Sequence, residues 1–223
     1  MDATCNVCTK GPPEVSIKRC AKCSTTPYCS RECQKADWKV HKKICGKNQS
    51  ANASSRASNS TSTGLSPPQG LDQPISKPFT RLDNGTWLHD RPEKDVYRLL
   101  VDAYRLRVED TYTIEGEVMA GSLYDENPDG LGGFQEFLDE VAGLPGLLPP
   151  WWNHEKRDAC ERLGMEDEWS NLRYAAEKSD FIEHYGDPQF PMQLRMLAEA
   201  VYGSVPGGGN GTAVRQMMMA MEG

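Results

Sequence analysis

Beyond about residue 87 the apolar positions recur every three or four residues, and before it they do not. Val96, Leu99, Leu100, Ala103 and Leu106 share one face of a helix, with Asp90, Pro92 and Glu93 as its start signal and Gly116 as its stop. Phe134, Phe137, Leu138 and Val141 predict a second helix ended by Gly143, after which the prolines of LPGLLPPWWN force a turn. Asn153 can cap a third helix carrying Cys160 and Leu163, with Gly164 as its exit, and Trp169, Leu172 and Ala176 suit a fourth. Phe181 and Ile182 mark a short segment before GDPQFP. Met192 to Tyr202 is a fifth periodic run, and Thr212 can cap a last helix through Met221. No stretch alternates like a strand for long, so residues 79–223 are expected to form an all-α domain.

The chain ahead of that domain divides in two. Residues 47–78, KNQSANASSRASNSTSTGLSPPQGLDQPISKP, are rich in Ser, Thr, Asn and Pro and hold a few isolated aliphatics. Such a stretch buries too little apolar surface to offset its conformational entropy, so a flexible tether is expected there, with Ser66 before Pro67 a site for phosphorylation or plain linker. Residues 1–46 have few apolar positions and need another source of stability.

Charge follows the same division. Residues 1–46 carry nine Lys/Arg against four Asp/Glu, and residues 79–223 carry thirteen against twenty-seven, within a whole-chain net charge of −7. No apolar run reaches the roughly 18 to 20 residues a membrane span needs, and the N-terminus lacks the apolar stretch of a signal peptide. The expectation is a soluble intracellular protein, nuclear or cytoplasmic, in which the Asn-x-Ser/Thr sequons carry no meaning.

The 8 cysteines supply the missing stability, since all but Cys160 fall at positions 5, 8, 20, 23, 29, 33 and 45. With His41 the pattern is Cys5-x2-Cys8-x11-Cys20-x2-Cys23-x5-Cys29-x3-Cys33-x7-His41-x3-Cys45. A disulfide framework fits poorly, because the number is odd, a histidine is well placed and no signal segment is seen. Soft thiolates select zinc, a structural zinc takes four ligands, and eight ligands saturate two ions without the open position that a catalytic zinc needs. Structural zinc contributes on the order of ten kcal/mol per site to folding, enough to hold so short a unit. The surrounding lysines offset metal–thiolate charge, which weakens a nucleic-acid reading of Lys35, Lys39, Lys42 and Lys43.

CxxC, CxxC and YC-xxx-C-Q-xxx-W-xxx-H-xxx-C over residues 5–45 resemble the MYND-type zinc finger, including Tyr28, Gln34 and Trp38. The resemblance implies short β-hairpins plus helices around two interleaved sites: Cys5, Cys8, Cys29 and Cys33 on one zinc, Cys20, Cys23, His41 and Cys45 on the other. Spacing alone equally allows sequential sites. It further implies a protein-interaction module that docks proline-containing peptides between the strand around Cys20 to Cys23 and the helix bearing Gln34 and Trp38. A Trp face stacks on a proline ring and a Gln amide reaches a peptide backbone; packing of Trp38 against the zinc core is the competing role. GLLPPWWN, KSDFIEHYGDP and FPMQLRMLAEAVYG are similar to segments of small fungal MYND proteins, a likeness that assigns no activity.

The helical half shows no catalytic signature. His89, His154 and His184 lack metal or triad spacing, and Cys160 reads as a buried small hydrophobe. Trp151 and Trp152 suit either an interaction anchor or burial, and the methionines at 217–219 and 221 either an adaptable surface or a packing seam. The expected function is a non-enzymatic adaptor, linked to transcription by family analogy only. The enzyme alternative is a SET-type lysine methyltransferase, since some of these carry a MYND finger, but Asn153-His154-Glu155 lacks the cysteine of their Asn-His-x-Cys motif. Binding of nucleic acid is the third reading. A cross-braced ubiquitin-ligase finger would place its ligands differently.

Overall fold

The computed structural model describes residues 4–12, 14–15, 17–20, 26–41 and 65–222. They belong to two units, Met1–Ser60 and Thr61–Gly223. In the first, β1 (Lys18–Arg19) pairs antiparallel with β2 (Pro27–Tyr28), Lys18 opposite Tyr28 and Arg19 opposite Pro27, and α1 (Arg31–His41) follows. Ser30 Oγ accepts the Cys33 N–H at 3.3 Å and so starts α1. Glu32 sits in the first turn, where the backbone N–H and the Ser30 hydroxyl lower its pKa. Strands this short are not stable alone. Among the described residues its apolar cluster is Cys5, Cys20 and Tyr28, with Cys8, Ile17, Cys29 and Cys33 packed around them.

The second unit begins with a ribbon, β3 (Leu65–Ser66) antiparallel to β4 (Ile75–Ser76), and continues through α2 (Pro78–Asp83) to α3 (Glu93–Asp110), which runs into a π-helical turn at Thr111–Glu115. Then come α4 (Leu131–Gly143), α5 (His154–Glu166), α6 (Lys178–Tyr185), α7 (Phe190–Tyr202) and α8 (Thr212–Met221). α3 is the axis of this mostly helical unit, with α4, α5 and α7 packed on it and Val96, Leu99, Leu100, Ala103 and Leu106 buried, as the periodicity requires. Gly116 closes the run with φ 73°, the left-handed conformation that only glycine adopts freely.

Several expectations need correction. The segment 65–77, assigned by composition to the tether, is packed: Ile75 is buried and the Asp95 carboxylate accepts the Asp72 and Gln73 N–H groups at 2.9 Å each. Arg91 donates to the Gln73 carbonyl, Ser66 Oγ donates to Asp187 at 2.6 Å and accepts from Gln193 Nε2, so the Ser66 hydroxyl is buried in bonds rather than offered to a kinase. Residues 47–64 lie outside the described residues. The fourth predicted helix does not form. Residues 167–177 are turns and bends in which Asp167 Oδ1 accepts the Trp169 and Ser170 N–H groups and the Leu172 N–H reaches back to the Gly164 carbonyl. Gly164 is not an exit but sits inside α5, where a Cβ would lie 3.0 Å from Leu172 Cδ1 and 3.2 Å from Val101 Cγ2. Asp90 pairs with Arg81 instead of capping α3, and Thr212 is the first residue of α8 instead of its cap. Asn153 does cap α5, its Oδ1 accepting the Lys156 N–H at 3.1 Å.

Candidate metal centre

The two halves of the first zinc set come from separate parts of the finger, the N-terminal turn and the start of α1. Cys5 and Cys8 lie on an N-terminal turn, closed by the Thr9 N–H to the Cys5 carbonyl at 2.9 Å. Cys29 follows β2, and Cys33 lies one turn into α1. The Asn6 N–H donates to the Pro27 carbonyl at 2.8 Å, which brings the turn against β2. Asp37 holds the same arrangement from α1, accepting the Tyr28 hydroxyl and the Asn6 amide at 2.7 Å each.

As a result the sulfurs of Cys5, Cys8, Cys29 and Cys33 all lie within 4.8 Å of one another. Cys8 Sγ is 3.2 Å from Cys29 Sγ, and Cys29 Sγ is 3.6 Å from Cys33 Sγ. Four thiolates around a tetrahedral zinc, each about 2.3 Å from the ion, stand about 3.8 Å apart, so the donor set and its spacing fit this metal. Electrostatics points the same way. Burial opposes ionisation of Cys5, yet the N–H groups of Cys8, Val7 and Cys29 and the Cys29 side chain outweigh it and bring its pKa down to about 6. Cys29 moves oppositely, pushed up to about 12 by its hydrogen bond with Cys8, by burial, and by Cys5 and Cys33. Four sulfurs so close cannot all carry charge unless a cation sits among them.

Of the second predicted set, Cys23 and Cys45 lie outside the described residues. Cys20 and His41 are each 2% exposed, and both are tied to Thr26: the Cys20 N–H donates to its carbonyl at 2.8 Å, and its hydroxyl lies 3.2 Å from His41 Nδ1. The roles of Thr26 and Asp37 were not read from the sequence. Nothing in the ligand spacing marks either, although Asp37 is one of two acids in α1, with Glu32. Gln34 and Trp38 lie one helical turn apart on α1, both half-buried, and the Trp38 ring stands 6.1 Å from that of His41 at a tilt of 51°.

In the helical unit the remaining candidates are packed in the fold or exposed to solvent. His89 Nε2 lies 2.9 Å from the Gly146 carbonyl, His154 is exposed beside Asp158, and His184 stacks on Trp169 with ring centres 4.1 Å apart. Burial pushes the Cys160 thiol well up, which suits an unreactive core residue. Trp151 and Trp152 pack on the main core, each edge-on to Tyr97. No helix among the described residues is long and apolar enough to cross a membrane.

A small cysteine-walled unit of this kind is a metal-stabilised finger. Residues 5–45 are a MYND-type zinc finger, matching the family model described as MYND finger over that range. The chain is 44% identical over 45 residues to SET domain-containing protein 14 of Caenorhabditis elegans, 20% of this chain and 10% of that protein. SET domain and MYND-type zinc finger protein 6 of Schizosaccharomyces pombe is 50% identical over 42 residues, 19% of this chain and 8% of that protein. Dauer abnormal formation protein 25 of C. elegans is 54% identical over 43 residues, 19% of this chain and 11% of that protein. The matched segment thus spans about a tenth of each relative's length. No solved structure matches the chain. The MYND finger binds zinc, is non-catalytic in itself and is a protein-interaction module.

Proposed function

We propose that this chain is a non-enzymatic adaptor whose finger holds two structural zinc ions and docks a proline-containing peptide of a partner protein. The observation that carries the reading is the placement of Gln34 and Trp38. They sit side by side at i and i+4 on α1, outside the Cys5, Cys8, Cys29 and Cys33 cluster, and keep part of their surface open. A half-open indole offers a face for a proline ring, and the neighbouring amide can bond the peptide backbone.

The second zinc takes Cys20, Cys23, His41 and Cys45. In its favour, Cys20 and His41 are buried and share Thr26, and a hydroxyl accepting from His41 Nδ1–H leaves Nε2 as the basic nitrogen for a metal. Reduced, zinc-bound cysteines suit a reducing compartment, so the protein works inside the cell, in nucleus or cytoplasm. A role in transcription is proposed on family analogy alone. In the helical unit Asn153 is spent on a helix cap and the His154 side chain is 88% exposed, which favours the adaptor over a methyltransferase.

Titration calorimetry of the zinc-loaded full chain with proline-containing peptides tests the reading. One-to-one binding that weakens at least about tenfold in Trp38→Ala, with zinc content unchanged, supports it, since an aromatic anchor typically carries that much or more of such an interface. Equal binding by the variant removes the proposed groove.

A further inference from the structure

Six of the nine methionines are segregated on α7 and α8, while Met119 and Met165 pack on the main core. Of the 9 in the sequence, Met192 and Met196 lie on α7 and Met217, Met218, Met219 and Met221 on α8. By contrast, the buried members of the main core include leucine, valine and aromatic residues but no methionine. Met196 and Met218 are buried together with Phe79 of α2, and Met192, Met219 and Leu82 pack around them. The joint between α8 and the rest of the unit is therefore walled by thioethers from both sides.

A glycine turn closes the joint. α8 connects to α7 through Gly207, Gly208 and Gly209, all with φ near 85° (85°, 84° and 86°), and carboxylates hold the turn, Glu115 accepting the Gly207 N–H at 2.7 Å and Glu199 the Gly211 N–H at 2.5 Å. Polar contacts hold the helix down. Glu222, just beyond α8, accepts from the Phe79 and Thr80 N–H groups and the Thr80 hydroxyl at the start of α2. Arg215 bonds Asp83 at 3.1 Å and lies 3.8 Å from Glu199.

We propose that α8 is an oxidation-sensitive latch: conversion of the seam methionines, Met218 and Met219 first, to sulfoxides by a peroxide releases α8 and uncovers the apolar face made by Phe79, Leu82, Met192 and Met196. The chemistry balances. The thioether sulfur attacks the peroxide, an S–O bond forms as the O–O bond breaks, sulfur gives up two electrons, and the departing hydroxide takes the proton to leave as water. A sulfoxide is polar, and the seam offers it apolar carbon and sulfur in place of donors. Met217 and Met221, 57% and 72% exposed, oxidise without consequence because they lie outside the seam, whereas Met218 at 9% reacts as α8 swings open on its glycine turn.

Peptide-mapping mass spectrometry and hydrogen exchange on the full zinc-loaded chain, before and after graded hydrogen peroxide, test this. The expected order is Met217 and Met221 first, Met218 and Met219 later. The second step should bring at least a tenfold rise in α8 and α2 amide exchange with α3 unchanged, and methionine sulfoxide reductase should reverse it. A Met192→Leu, Met196→Leu, Met218→Leu, Met219→Leu variant keeps the finger cysteines and should hold α8 protected under the same dose. Retained α8 protection in wild-type chains carrying sulfoxide at 218 and 219 overturns the proposal. So does equal loss in the leucine variant, a loss that the reductase leaves in place, or a seam untouched when Met217 and Met221 are fully converted.

Discussion

The two units of this chain solve the same problem with opposite means. The finger buries Cys5, Cys20 and Tyr28 and brings four sulfurs together, while the helical unit wraps α4, α5 and α7 around an α3 whose inward residues are almost all buried. One is organised by ligand spacing, which fixes a few atoms tightly around a charge; the other by a continuous apolar core, which spreads its stabilisation over many contacts. The difference teaches where each is fragile. Losing one ligand should collapse the finger, whereas the helical unit should tolerate most single changes and fail badly only at its buried polar joints.

The largest expected effect is therefore Cys29→Ala, which removes the residue central to the sulfur cluster. Native mass spectrometry should show at least one zinc lost per chain, and the finger should lose folding free energy on the order of ten kcal/mol with the helical unit's melting unchanged. Next comes Asp102→Ala. The Asp102 carboxylate is fully buried and accepts from Arg105 at 2.8 Å, Trp169 Nε1 at 2.7 Å and the Tyr185 hydroxyl at 2.6 Å. Its loss strands a buried guanidinium, and urea unfolding should record a cost of about 3 to 5 kcal/mol in the helical unit alone. Asp95→Ala unties the Asp72 and Gln73 N–H groups and should cost about 2 to 3 kcal/mol, with hydrogen exchange rising over residues 65–77 before it rises in α3. Asn153→Ala removes the α5 cap for about 1 kcal/mol.

The smallest effect is a pH dependence. Burial lowers the His184 pKa below its ordinary 6.5, against the opposing pull of Asp102 and Asp167. A base that resists protonation when folded contributes stability that is full above pH 6.5 and declines as pH falls from there toward its lowered folded value. Urea midpoints of the helical unit should fall slightly over that interval, and His184→Phe should flatten the slope.

What could be read from the sequence follows from this contrast. The ligand set of the Cys5 cluster was legible because CxxC and helical i, i+4 spacings constrain sulfurs locally, although spacing alone left the pairing of the two halves open; the family resemblance implied that the first CxxC joins Cys29 and Cys33, and the fold brings those four sulfurs together. α3, α4 and α7 were legible because an amphipathic helix repeats its signal every turn. Residues 169–176 imitate that signal, yet Trp169 is held by Asp102 and the Leu172 amide by Gly164, partners that no local period records. The segment 65–77 failed for a related reason. Composition counts its few aliphatic side chains, whereas Asp95 and Arg91 grip its backbone from residues far along the chain. α2 went unseen because its six residues are too few for a period to show, and its first amides are bonded by Glu222 from the far end of the chain.

Hydrogen exchange of the full chain, before and after zinc chelation in one sample, tests the central contrast most directly. The account predicts that amides of α1 and of the Cys5 to Cys8 turn lose protection entirely while those of α3 exchange as before. Continued protection of α1 without metal, or a joint loss in α1 and α3, would contradict it.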